Sequence, residues 1–201
     1  MIRLDREGDL WVVTIDRPEK ANSLTEDMLE RLAGIAEDAR DARALVLTGA
    51  GKVFSAGADL DAAKAGLAVS PLWERLSGAL ARHRGLTICA LNGTVAGGAM
   101  GMFLACDLRI SVPGAKIFYP VMKLGFLPQP SDPARLAALA GPSRAKLILM
   151  GGAKATVEEA LTWGLIDRIV EGDLLTAARD LATDTLTAAP DHAAGIKALI
   201  R

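Results

Sequence analysis

Apolar positions along the chain change period several times, and each change marks an element. Residues 2–5 and 10–15 (Leu-Trp-Val-Val-Thr-Ile) alternate or run apolar over strand lengths, and Arg6-Glu7-Gly8-Asp9 between them predicts a hairpin-like start. After the polar loop 16–22, Met28, Leu29, Leu32, Ile35 and Ala36 recur at helical spacing, and Ser23 with Glu26 reads as a capping box in front of them. Ala44 to Thr48 is short, apolar and branched, which predicts a buried strand. Ser70-Pro71 opens a helix that turns Leu72, Trp73, Leu76 and Leu80 inward and ends near His83-Arg84-Gly85, with His83 expected in solvent.

Strands follow at 87–91 and 107–112, separated by an apolar segment of helical length that closes at Cys106. Residues 113–132 read as irregular loop. Asp132 before Pro133 reads as the cap of a helix 133–140 closed by Gly141, and Pro142 starts another that runs to Met150. Thr156 with Glu159 is a second capping box, Ile166 to Val170 a short strand, 173–188 a helix, and Pro190 to Arg201 a last amphipathic turn or two. Strand–helix alternation that gives way to helices predicts an α/β core, about residues 1–170, with a helical tail, about 171–201, in a single domain 1–201.

Composition narrows the function. A formal net charge of −1 gives no electrostatic reason for a nucleic-acid or anionic-membrane partner, and 4% aromatic residues leave little for base stacking. Cys89 and Cys106 lie in apolar surroundings outside any CxxC pattern, as buried thiols of a reducing compartment do; no signal segment or spanning run is seen, so a cytoplasmic protein is expected. Two isolated histidines make no metal site.

Two small-residue stretches carry the chemistry. Leu91-Asn-Gly-Thr-Val-Ala-Gly-Gly-Ala-Met-Gly runs from a strand through a turn into Gly97-Gly98 at the head of an apolar helix. Glycine admits close approach to the main chain, and the first N–H groups of a helix lack intrahelical acceptors, so they suit an oxyanion. Tight helix–strand packing through Gly97, Gly98 and Gly101 is the other use of the same residues. Phe54-Ser-Ala-Gly-Ala-Asp-Leu60 follows a strand and a turn and opens its main chain in the same way. Gly49-Ala50-Gly51-Lys52 is no phosphate loop, because Val53 follows the lysine.

Taken together, Asp16-Arg-Pro…Asn22-Ser-Leu, Phe54-Ser-Ala-Gly-Ala-Asp-Leu, Asn92-Gly…Gly97-Gly98…Cys106-Asp107, Leu124-Gly125 and Arg135-Leu…Gly141…Gly151…Glu159-Ala160…Gly164-Leu165-Ile166 resemble the crotonase superfamily, the enoyl-CoA hydratase/isomerase family, over nearly the whole chain. The resemblance implies a ClpP/crotonase-like spiral of ββα units, here with a shortened C-terminal helical part, assembled as a homotrimer or dimer of trimers. It implies an acyl-CoA thioester substrate, with coenzyme A entering as part of the substrate and no tightly bound cofactor. It places an oxyanion hole at the Ala58 and Gly98 N–H groups and coenzyme A contacts at Lys20, Ala21, Ser55 and Ala56. Gly97, Gly101, Tyr119, Val121 and Gln129 fall at the substrate pocket.

The family's usual acid positions correspond to Gly101, Val121 and Gln129, none of which ionises. Positioned acids and bases each contribute on the order of a hundredfold or more, so hydration is disfavoured against double-bond isomerisation. Asp132, besides capping its helix, is the acid or base within reach of that loop. Tyr119 either orients substrate or forms a wall. Asp59 and Asp61 are expected to tie down the first glycine loop, and Asp107 to be structural. The alternative to an enzyme is an acyl-CoA-binding module that has lost its chemistry. A serine peptidase is set aside, because residues 99–101 are Ala-Met-Gly.

Overall fold

The computed structural model describes residues 1–200. It begins with a hairpin, β1 (Ile2–Glu7) antiparallel to β2 (Leu10–Ile15), followed by α1 (Glu26–Asp38). Three strand pairs come next: β3 (Ala44–Gly49) with β4 (Val53–Ser55), β5 (Leu86–Leu91) with β6 (Thr94–Ala96), and β7 (Leu108–Ser111) with β8 (Lys116–Phe118). Helices α2 (Leu60–Lys64) and α3 (Leu72–Arg82) follow the first pair, and α4 (Met100–Ala105) follows the second. After the third pair come α5 (Val121–Leu124), α6 (Asp132–Ala140) and α7 (Pro142–Leu149). The remainder is β9 (Ala155–Thr156), α8 (Val157–Thr162), β10 (Arg168–Ile169), α9 (Leu174–Thr187) and α10 (Pro190–Ile200).

Each pair sends its first strand to one sheet, ordered β1-β2-β3-β5-β7-β10, and its second to another, ordered β4-β6-β8-β9. The chain therefore climbs both sheets together, one ββα turn at a time, which is the expected spiral. Strand alternation decides which layer each face meets. Leu45 and Leu47 of β3, with Cys89 and Leu91 of β5, pack into the core that holds α1 and α3. Ala44, Val46, Ile88, Ala90 and Ile110 face the other way, onto Leu174, Ala178 and Ala182 of α9. Because both faces are covered, the central strands read as continuous apolar runs rather than alternating ones.

Several local expectations are corrected. Ser23 does not cap α1: Thr25 does, its hydroxyl accepting from the Met28 N–H at 3.4 Å. The Ser23 hydroxyl faces the Arg17–Asp59 ion pair instead, and that tertiary contact overrides the capping pattern. Thr25→Ala should therefore cost about 1 kcal/mol by urea denaturation and Ser23→Ala should leave α1 intact by amide exchange.

Asp132 is not a cap either. It is the first residue of α6, its carboxyl turned inward and fully buried. His83 is buried, not solvated: its Nε2 lies 2.9 Å from the Ala39 carbonyl and its Nδ1 accepts from the Gly85 N–H, while burial lowers its pKa. Part of 113–132 is ordered as β8 and α5 rather than loop, and the last segment is a helix of 11 residues rather than a turn or two. Arg201 lies outside the described residues. Among those described, no helix is long and apolar enough to cross a membrane.

Candidate active site

The two glycine stretches meet at the ends of β4 and β6, which run parallel with Val53 paired to Thr94 and Ser55 to Val95. Beyond the strands both chains turn through left-handed glycines, Gly57 at φ 89° and Gly97 at φ 58°. The approach is main chain to main chain. A Cβ on Gly57 would stand 2.9 Å from the Ala96 carbonyl oxygen and 3.0 Å from the Gly98 nitrogen, closer than real Cβ atoms pack. Gly57 is there because no other residue fits both the dihedral and the space.

The direction of the Ala58 N–H follows from its neighbours. Leu24 donates to the Gly57 carbonyl and accepts from the Asp59 N–H, both at 2.8 Å. In a trans peptide the Ala58 N–H points opposite to the Gly57 carbonyl, so it faces away from Leu24. The Gly98 N–H precedes the first hydrogen bond of the 3-10 turn Gly97–Ala99 that leads into α4, and so lacks an intrahelical acceptor. A Cβ on Gly98 would lie 2.9 Å from the Trp73 indole, whose Nε1 donates to the Leu67 carbonyl at 2.7 Å and holds the ring in place.

Polar side chains fix this loop from behind. Asp59 caps α2, accepting from the Asp61 and Ala62 N–H groups, and its carboxylate pairs with Arg17 at 2.8 Å. That guanidinium holds the carboxyl below its usual pKa. Asp61 is exposed and ties nothing down beyond its i,i+3 contact with Lys64. Asn22, itself left-handed at φ 53°, donates to the Ala50 and Val53 carbonyls, and the Ser55 hydroxyl donates to the Asn22 carbonyl. Asp107 accepts from Thr87 and from Lys197, in the structural place expected.

A pocket of about 150 Å³ opens beside the two glycine stretches, walled by Ala56, Ala58, Gly97, Gly98, Trp73, Tyr119, Val121 and Gln129 among others, with Leu124, Phe126 and Leu127 also lining it. Of the sequence-predicted site residues, Lys20, Ala21, Ser55, Gly101 and Asp132 are not on that wall. Lys20 is exposed; Ala21 reaches the pocket edge through its carbonyl, which accepts from the Ala56 N–H at 3.0 Å. Ser55 is fully buried and its hydroxyl is already used. Gly101 faces away, toward Asp132, whose Oδ1 would stand 3.2 Å from a Cβ at that position. A groove of about 570 Å³ between α10, the end of α9 and the first residues of β5 and β7 is larger, yet it holds neither glycine stretch.

Tyr119 links pocket and interior. Its hydroxyl accepts from the Gln129 N–H at 3.2 Å and donates to Asp132 Oδ2 at 3.1 Å. Asp132 Oδ1 has no hydrogen-bond partner, and Arg135 is 3.9 Å away. Burial raises the Asp132 pKa to about 7, opposed by the Tyr119 hydrogen bond and Arg135, while Glu74 raises it further. Burial also raises the Tyr119 pKa, with Asp132 adding to the effect. Among the described residues no carboxylate lines the pocket, and Tyr119 is the ionisable side chain on its wall. Sequence reading missed the Trp73–Gly98 contact and the Tyr119–Asp132 bond, for which linear spacing carries no signal.

The enoyl-CoA hydratase/isomerase family model matches residues 5–201. A short-chain-enoyl-CoA hydratase from Clostridium acetobutylicum is 32% identical over 93% of this chain and 76% of its own length. A carnitinyl-CoA dehydratase from Salmonella arizonae is 36% identical over the full chain and 80% of its own. Among solved structures, that of DspI from Pseudomonas aeruginosa superposes with a TM-score of 0.91 at 33% identity, covering 99% of this chain and 79% of that one.

Proposed function

Since the chain belongs to the enoyl-CoA hydratase/isomerase family, we propose that it binds an acyl-CoA thioester with the carbonyl oxygen between the Ala58 and Gly98 N–H groups and stabilises the enolate formed there. The observation that carries this reading is the close main-chain contact of Gly57 with Ala96 and Gly98 beside the pocket. Donors fixed in advance by a folded backbone need no reorganisation as charge moves onto the thioester oxygen, commonly the largest single catalytic contribution.

Isomerisation suits the pocket better than hydration. Adding water needs one group to activate the water and another to protonate carbon, whereas Gly101, Val121 and Gln129 supply neither. Moving one proton between carbons needs a single carrier. The coenzyme A nucleotide is assigned to the edge formed by Lys20, Ala21 and Ala56, with Ser55 buried behind it rather than in contact, supported by the Ala21–Ala56 hydrogen bond that joins this edge to the pocket. Exposed Leu60, Leu124 and Leu127 beside the pocket support a further subunit there, as in a homotrimer, and the setting is taken as cytoplasmic.

The absence of a carboxylate from the pocket wall among the described residues favours the second reading, an acyl-CoA-binding module without chemistry. The two part in one experiment: a panel of acyl-CoAs is incubated with the protein in deuterated buffer and followed by mass spectrometry, alongside calorimetric binding. Deuterium gained next to the thioester carbonyl is the expected result. Binding without exchange selects the module, and absence of both removes the acyl-CoA assignment.

A further inference from the structure

We infer that Tyr119 and Asp132 form a proton relay for the thioester pocket, Tyr119 exchanging the proton with the substrate carbon and Asp132 acting behind it as a positioning residue and proton store. The inference rests on the acyl-CoA reading above and names the groups that move its proton.

Three geometric facts carry it. Tyr119 and Gln129 both line the pocket, and the Tyr119 hydroxyl is held between the Gln129 main-chain N–H and Asp132 Oδ2. Asp132 is wholly buried off the pocket wall, and the pocket-lining Tyr119 is hydrogen-bonded to it. Its other oxygen accepts no hydrogen bond among the described residues, has only Arg135 at 3.9 Å, and stands 3.2 Å from where a Cβ on Gly101 would lie, a contact tight enough that it would have to shift. A buried carboxyl with one oxygen unbonded is costly, and such groups cluster at functional sites. A purely structural anchor for α6 would be better served by an apolar residue.

The step balances on this chain's own groups. The Tyr119 oxygen takes a proton from the carbon next to the thioester carbonyl; that C–H bond breaks and its electron pair enters the enolate. At the same time the Tyr119 O–H proton passes to the Asp132 carboxylate, which becomes neutral. The reverse transfer returns the proton, to the same carbon or to the far end of a conjugated double bond. No oxidant, reductant or metal takes part.

Abstraction requires Asp132 ionised. The charged groups that face it are Arg135 of its own helix and Glu74 of α3, with Tyr119 as its hydrogen-bond donor, and together with burial they leave the carboxyl at about 7. Exchange by the wild-type protein should thus rise with pH through about 7 and level off above it. Asp132→Asn should flatten that profile, and Tyr119→Phe should lower exchange by about a hundredfold with acyl-CoA affinity unchanged.

A wild-type profile that is flat across this range overturns the relay, and this holds even if a variant does not fold. So does a folded Asp132→Asn that keeps both rate and pH profile, or a folded Tyr119→Phe that keeps its rate. Acyl-CoA that binds without exchanging overturns the relay alone; failure of the wild-type protein to bind any acyl-CoA overturns the acyl-CoA reading itself.

Discussion

Gly57→Ala should lower acyl-CoA exchange by about 10²–10³-fold, the loss typical of one removed oxyanion donor, while the protein stays folded. The added methyl would have to sit 2.9 Å from the Ala96 carbonyl oxygen and 3.0 Å from the Gly98 nitrogen, both main-chain atoms that cannot swing aside. The two loops must separate, and the Ala58 and Gly98 N–H groups separate with them. Gly8→Ala is the control. Its φ of 64° carries the same left-handed penalty, of order 1 kcal/mol, but nothing lies within 4 Å of its Cβ. A larger stability loss in Gly57→Ala than in Gly8→Ala, by denaturant titration, with activity lost in Gly57→Ala alone would tie the effect to the forced separation of the two loops. Equal activity in both would remove the oxyanion pair from the argument.

Gly98→Ala tests the other side of the same point. Its methyl would meet the Trp73 indole at 2.9 Å, and the ring is held by its bond to the Leu67 carbonyl. Helix α3 thus packs directly against the second glycine loop through Trp73, leaving no room for a side chain at Gly98. A residue whose helical spacing reads only as core thus also packs against the second glycine loop and walls the pocket.

The layers of the fold were legible because burial follows period. Leu45 and Leu47 point to one core and Ala44 and Val46 to the other, and a run apolar on both faces announces a covered parallel strand. Capping was legible only where nothing distant competes. At Thr156 and Glu159 both reciprocal bonds form, as the pattern predicts. At Ser23 and Glu26 the same pattern fails, because Arg17 and Asp59 stand beside the serine hydroxyl and the cap passes to Thr25.

The site divides the same way. Small residues around Gly57 and Gly98 mark close main-chain approach in any sequence, so both stretches were visible. Which side chains reach them was not. His83, flanked by arginines, reads as solvated until the Ala39 carbonyl and Gly85 N–H come into contact with it. Tyr119 and Asp132 are 13 residues apart, and only the turn that brings Gln129 back over Tyr119 makes them neighbours. Contacts that depend on such a reversal leave no periodic trace.

Stability against pH gives the last expectation. Burial raises the Asp132 pKa from 3.8 to about 7, so the folded state holds this proton more tightly than the unfolded chain. The contribution is fully present below the unfolded pKa of 3.8 and is lost as pH rises toward about 7. A shift of that size corresponds to roughly 4 kcal/mol of stability lost across the interval, at about 1.4 kcal/mol per pKa unit. Asp132→Asn cannot ionise, yet its amide oxygen still accepts from the Tyr119 hydroxyl. Urea denaturation should find wild type and variant near each other at about pH 4 and the variant more stable by several kcal/mol at about pH 8, the gap opening between those limits. The same substitution should gain stability and lose exchange, which is how a charge kept buried for chemistry differs from one kept for the fold. A gap that stays constant with pH would mean the carboxyl titrates normally, and its burial would then have no bearing on proton transfer.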